Sequence, residues 1–253
     1  MAPPVTEIPD PALALARSTL YRFLSLGWSP PEDGLAALRT APAVLEAVTA
    51  AAERMGGVRA QEQARRVVGV LTASAPAGLQ AAYRRLFGHQ ISRDCPLHET
   101  QYGVGHIFQQ AQQLADIAGF YLAFGLEVAA GAGERVDHLS LELEFLHVLA
   151  FREAHASVHE EAEKVWPFVD ARRAFLRDHV ARWVPTFTRL VTARDDGLYG
   201  ELAHLTRAVI TADAAALGII VDGEDESALP VFGEPGEATP PCGADRCPLE
   251  PSP

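Results

Sequence analysis

Residues 115–149, ADIAGFYLAFGLEVAAGAGERVDHLSLELEFLHVL, read as a helix closed by Gly125, a polar loop, and a second, strongly apolar helix. Asp137 stands where a helix N-cap belongs, able to accept from the free backbone N–H groups of the first turn. Behind it, His138 opens a run in which Glu142 and Glu144 sit among Leu139, Leu141, Leu143, Phe145 and Leu146. Carboxylates inside so apolar a segment are costly unless they reach solvent or a partner. This helix start is therefore the first place to look for binding.

The rest of the chain follows the same period. From Pro11, Leu13, Leu15, Leu20, Tyr21, Phe23 and Leu24 recur at near-helical spacing. SPPE at 29–32 reads as the start of the next helix, with Ser29 as cap, Pro30 in the first turn and Glu32 completing a capping box. Further helices are predicted near 58–73, 76–88, 104–124, 138–156, 168–184 and 197–217. The chain is rich in Ala, Leu, Arg and Glu and shows no sustained period-2 alternation, so strands are not expected. The loops at 89–100 and 126–137 are long enough to carry function.

These patterns predict an all-α chain built as a single helical-bundle domain over 11–221. A frayed Pro-rich segment, 1–10, precedes it. After Val221 the composition turns to acidic, Pro- and Gly-rich sequence, predicting an irregular tail over 222–253.

Charge narrows the function classes. The formal net charge is −12, and Lys164 is the only lysine. Such a chain is poorly suited to nucleic acid, where phosphate neutralisation dominates affinity, and better suited to a cationic partner. No apolar run is long enough to span a bilayer, and MAPPVTEIPDP shows no export signal. Three cysteines do not make a disulfide scaffold, which favours a cytoplasmic protein with reduced thiols.

Several segments together resemble the TorD/DmsD/NarJ family of chaperones for molybdenum enzymes. They are YRFLSLGWSPP at 21–31, YRRLFG at 83–88, CPLHETQYG at 95–103, DHLSLELEFL at 137–146 and FLRDHVARW at 175–183. The resemblance covers about residues 12–217. It implies an all-helical TorD-like fold and no enzyme activity. It also implies a dedicated chaperone role: binding the twin-arginine signal peptide and apo form of a molybdopterin-containing catalytic subunit, assisting cofactor insertion and preventing premature export. The ERVDH form and the Cys-rich end look most like the branch serving periplasmic dehydrogenases and oxyanion reductases.

By the same resemblance, Asp137 and His138 fall in the peptide-binding region, and Tyr83, Leu86, Phe87, Glu99 and Tyr102 match family positions. A twin-arginine signal offers two guanidinium groups followed by an apolar segment, so its receptor needs carboxylates and an apolar groove. Asp137, Glu142 and Glu144 would supply the carboxylates; Phe87, Tyr102, Phe145 and Leu146 the groove. The competing reading at each position is a plain cap or a core side chain.

Other classes leave marks as well. Glu144–His147 and Glu201–His204 are Glu-x-x-His pairs, as a helical di-metal carboxylate enzyme would require. His155 and His159 form an i, i+4 pair that lacks the Glu of a helical metalloprotease. A helical adaptor without an enzyme client would carry the same apolar helix start. Cys95, His98, Cys242 and Cys247 have the composition of a Cys3His zinc site, with three unrelated thiols as the alternative.

Overall fold

A computed structural model of the chain describes residues 8–31, 34–88, 94–102, 107–129, 133–159 and 162–221. Among these the architecture is all-α: α1 (Pro11–Trp28), α2 (Leu35–Leu38), α3 (Pro42–Ala73), α4 (Pro76–Phe87), α5 (Ile107–Ala123), α6 (Leu139–Val158), α7 (Ala162–Phe175), α8 (Ala181–Thr192) and α9 (Leu198–Ala216). A 3-10 turn, Glu99–Gln101, precedes α5, and a π-turn, Leu176–Val180, joins α7 to α8. No helix of the described residues is long and apolar enough to cross a membrane. The 222–253 tail expected from composition lies outside the described residues, as does most of 1–10.

α1 is the central strut. Asp10 caps it by accepting from the Ala12 N–H at 2.9 Å, and Pro11 suits the first turn because its missing N–H would have no helical partner there. Leu20, Tyr21, Phe23, Leu24 and Trp28 are buried against α6 on one side and α3 on the other. Ser29 does not open the next helix, as its sequence context predicts. It closes α1, both its N–H and its hydroxyl donating to the Ser25 carbonyl. The following long helix starts at Pro42 instead, after the short α2.

Gly57, at φ 67°, breaks α3 into two arms, so the predicted helix near 58–73 is only the second of them. A positive φ of that size is open to glycine at little cost. The predicted helix near 168–184 is the middle of a longer rod, α7–π-turn–α8, which absorbs Pro167 and Pro185 inside it. Each proline removes a backbone donor, which ordinarily marks a helix end. Here tertiary packing holds the rod through both: Phe175, Leu176, Trp183, Val184 and Phe187 are fully or almost fully buried.

Two aromatic groups fill the core. Trp28 meets Phe187 edge-on at 4.9 Å, with Phe87, Tyr83 and Tyr199 around them. Phe145, Phe175, Phe120 and Tyr121 form the second, packed at centroid distances of 4.8–6.4 Å. Phe87, Phe145 and Leu146, expected to line a groove, are core residues.

Inside the bundle four charges meet. Arg17 Nε lies 2.9 Å from Asp213 and its terminal nitrogen 3.5 Å from Glu153. Arg172 bonds Glu153 at 3.2 Å and also Asp213, to which the Tyr21 hydroxyl donates at 2.6 Å. Burial, then the Asp213 carboxylate, pushes the Tyr21 hydroxyl well above the ordinary phenol range, so it stays a donor. Removing one partner strands a buried charge. Arg172→Met is therefore expected to cost about 3–5 kcal/mol of unfolding free energy in urea titrations; a loss under about 1 kcal/mol would mean that the cluster is dispensable.

Candidate functional site

The N-terminal end of α6 is built from two short extended segments lying side by side. His98 and His138 form an isolated antiparallel bridge, flanked by Glu99 N–H→Asp137 carbonyl at 3.0 Å and Leu139 N–H→Leu97 carbonyl at 2.8 Å. The CPLHET and ERVDH motifs, some forty residues apart in sequence, thereby become one unit.

Asp137 is not the helix cap that its position suggests. The cap is His138, whose Nδ1 accepts from the Ser140 N–H at 3.2 Å and lies 2.7 Å from the Ser140 hydroxyl. Asp137, fully buried, turns the other way. Arg135 grips it with two bonds, Nε at 2.9 Å and a terminal nitrogen at 2.6 Å, and the Thr100 hydroxyl and N–H donate at 2.8 and 3.2 Å. Thr100 Oγ1 also accepts from Arg135 at 2.7 Å, which closes the ring. Burial acts to raise the Asp137 carboxyl, but these bonds and the Arg135 charge outweigh it and hold the group below its ordinary range. Asp137 is thus an anchor of the loop, with its acceptor sites occupied.

Beneath this clamp lies a second buried group. Trp183 Nε1 donates to Glu142 Oε2 at 3.1 Å, and His179 Nδ1 stands 3.1 Å from both oxygens of Glu99. Asp116 approaches the other face of His179 at 3.4 Å, and Tyr102 stacks near Trp183 with its hydroxyl donating to the Pro96 carbonyl at 2.7 Å. The π-turn is what places His179 here, and such turns recur at functional positions. Desolvation, reinforced by the facing Glu99, raises the Glu142 carboxyl well above the ordinary carboxylate range. Its Oε1, partnerless while both carboxylates are charged, gains a partner once a proton is shared with Glu99.

The expected client-contact residues divide into three places. Glu99, Tyr102, Asp137, His138 and Glu142 come together here, all buried. Glu144 faces α1, paired with Arg22 at 2.7 Å and half-exposed. Tyr83 and Phe87 belong to the Trp28 aromatic group and Leu86 to the core beside it; Phe187 links that group to Trp183 below the clamp. Glu134 and Arg135 form the accessible rim of the clamp, with side chains 30% and 40% exposed. The sequence reading singled out neither, nor Thr100, His179 or Trp183. Each lies in a motif that carries the resemblance: Thr100 in CPLHETQYG, His179 and Trp183 in FLRDHVARW, and Glu134 and Arg135 in ERVDH.

Metal-ligating groups are placed as follows. Cys95 is buried, and desolvation pushes its thiol up to about 11, so it is a neutral thiol. Cys242 and Cys247 lie outside the described residues. His147 is engaged by Ser18 at 2.9 Å, and the Glu144–His147 and Glu201–His204 pairs do not converge on a shared ion position among the described residues. The group that does converge is His98, Glu134 and His138. Burial lowers the pKa of both imidazoles, that of His138 to about 3, so both are neutral at pH 7; burial also raises Glu134.

Residues 48–189 match the family model described as the nitrate reductase delta subunit, a stretch that contains every residue of the clamp and of the group beneath it. The chain belongs to that family, the same TorD/NarJ group that its motifs resemble. It is 35% identical over 111 residues to the selenate reductase assembly chaperone protein of Thauera selenatis, covering 42% of this chain and 56% of the relative. It is 32% identical over 108 residues to the chaperone protein TorD of Vibrio cholerae, covering 42% and 46%. The perchlorate reductase assembly chaperone protein of Dechloromonas aromatica is 31% identical over 117 residues, 44% of this chain and 50% of the relative. The chain thus spans about half the length of these curated relatives. No solved structure gives a significant match.

Glu142 yields a pH prediction. Its folded-state pKa is raised, so the folded protein holds a proton that the unfolded chain releases above the ordinary carboxylate range. That contribution is complete at acid pH and is lost as pH rises toward the folded value, by about 1.4 kcal/mol per pH unit. Glu142→Gln keeps an acceptor for Trp183 and a donor for Glu99. It is expected to remove this slope from denaturation curves taken upward from about pH 5 and to raise the melting temperature at the alkaline end. A slope equal to that of the unaltered protein would refute the shared proton.

Proposed function

We propose that this protein is a dedicated assembly chaperone for a molybdopterin-containing reductase and has no catalytic chemistry of its own. The observation that carries this reading is the family match over 48–189, which encloses the whole clamp, together with the assembly-chaperone names of the relatives. On this reading the protein holds the apo catalytic subunit in the cytoplasm until the cofactor is inserted, and engages its twin-arginine signal peptide.

Geometry favours a particular division of labour at the peptide site. Asp137, His138, Glu99 and Glu142 are buried and set the shape of the loop junction. Contact with guanidinium groups falls to accessible carboxylates, Glu134 on the clamp rim and Glu144 on the flank of α6. Asp137 is a positioning residue. Its removal would release Arg135 and the 97–102 segment, so a loss of peptide binding on Asp137→Ala would come with a loss of stability.

Two measurements test the reading. Deleting the gene in its native host is expected to abolish one molybdenum-dependent reductase activity and leave its catalytic subunit cofactor-free, and the purified chaperone should carry that subunit, identifiable by mass spectrometry. Unchanged reductase activities would overturn it. For the isolated protein, a net charge of −12 predicts that association with a twin-arginine peptide slows several-fold from low to physiological ionic strength. A salt-independent on-rate would point to a purely apolar contact.

A further inference from the structure

We propose that His98, Glu134 and His138 bind a first-row divalent cation of the zinc class. Glu134 Oε2 stands 3.9 Å from His98 Nε2 and 3.8 Å from His138 Nε2, and the three atoms lie within 4.8 Å of one another. These separations are too long for hydrogen bonds. They are slightly wider than the roughly 3.3 Å between ligand atoms around a tetrahedral zinc ion with Zn–N near 2.0–2.1 Å. Seating an ion requires Glu134, whose side chain is 30% exposed, and the two imidazoles, whose ligand atoms lie within 4.8 Å of each other, to draw together.

The scaffold suits the task. The two imidazoles come from directly bridged backbone positions and cross at 78° with centroids 5.0 Å apart, so neither has to be recruited from a distance. His98 Nδ1 is buried without a hydrogen-bond partner, and its other ring nitrogen, Nε2, is the atom 3.9 Å from Glu134. His138 has an outer-shell orienting group: with Nδ1–H donating to the Ser140 hydroxyl at 2.7 Å, the Nε2 lone pair faces Glu134. Capping α6 uses the other tautomer, so metal binding would select between two arrangements of one ring. Asp137 and Arg135 neutralise each other beside the site, leaving the Glu134 carboxylate as the charge that a cation would meet. Two histidines and one carboxylate leave a fourth position to water on the exposed Glu134 edge, the pattern of an open zinc site.

The full untagged chain, stripped with chelator, provides the test. Titration with Co²⁺ is expected to load one ion per chain and to give weak visible d–d bands without a sulfur charge-transfer band, both abolished by Zn²⁺. Glu134→Gln should weaken binding by about tenfold or more while leaving circular dichroism and melting of the metal-free protein unchanged; His98→Asn should do the same. His138 is spared because it caps α6. Loading below about a tenth of an equivalent would overturn the proposal. So would affinity unchanged in Glu134→Gln, and so would a thiolate charge-transfer band, which would assign the ion to Cys95, Cys242 and Cys247 instead.

Discussion

Four charged side chains from four helices, Arg17 of α1, Glu153 of α6, Arg172 of α7 and Asp213 of α9, meet where water is excluded. Each would cost several kcal/mol to bury alone, and together they cancel. The arrangement holds only if all four helices are present at the right register. Leucine-rich faces are tolerant of sliding, whereas an ion cluster is not. The α1–α6 contact also fixes where α6 begins, and with it the position of His138 and of the Asp137 loop.

The clamp at the α6 start repeats the device at smaller scale. Loop 133–138 has little apolar surface of its own; Arg135 and Thr100 secure it through the Asp137 carboxylate. Underneath, Glu99 and Glu142 bring two carboxyl groups together, each met by a ring nitrogen, His179 for Glu99 and Trp183 for Glu142, and burial with the facing Glu99 raises the Glu142 carboxyl. Asp137 and Glu142, the buried acidic residues of the motif, thus support a rim whose exposed side chains are Glu134 and Arg135.

Much of the helical inventory was legible from periodicity, including α4, α6, α9 and the Gly125 stop, because a helix that buries one face must repeat its apolar residues every three or four positions. The failures share a cause. Ser29 carries every local mark of an N-cap, yet its hydroxyl bonds backward to Ser25. Pro167 and Pro185 argue for breaks, yet the rod continues because Phe175, Trp183 and Phe187 are held in the core on either side of the π-turn. For the two prolines, packing outweighed a local preference of about 3 kcal/mol each.

The sequence by itself determined the helical class, the chain's acidic character and the neighbourhood of the site, since composition, period and motif order are properties of the linear chain. The tertiary structure alone decided the roles within that neighbourhood. His138 caps while Asp137 anchors, Glu142 is buried against Trp183, and His98 lies beside Glu134 and His138 in place of Cys95, because the bridge between residues 98 and 138 sets which atoms face one another. Spacing along a chain limits which side chains share a helix face, but contacts between distant segments are fixed only when the core closes around them.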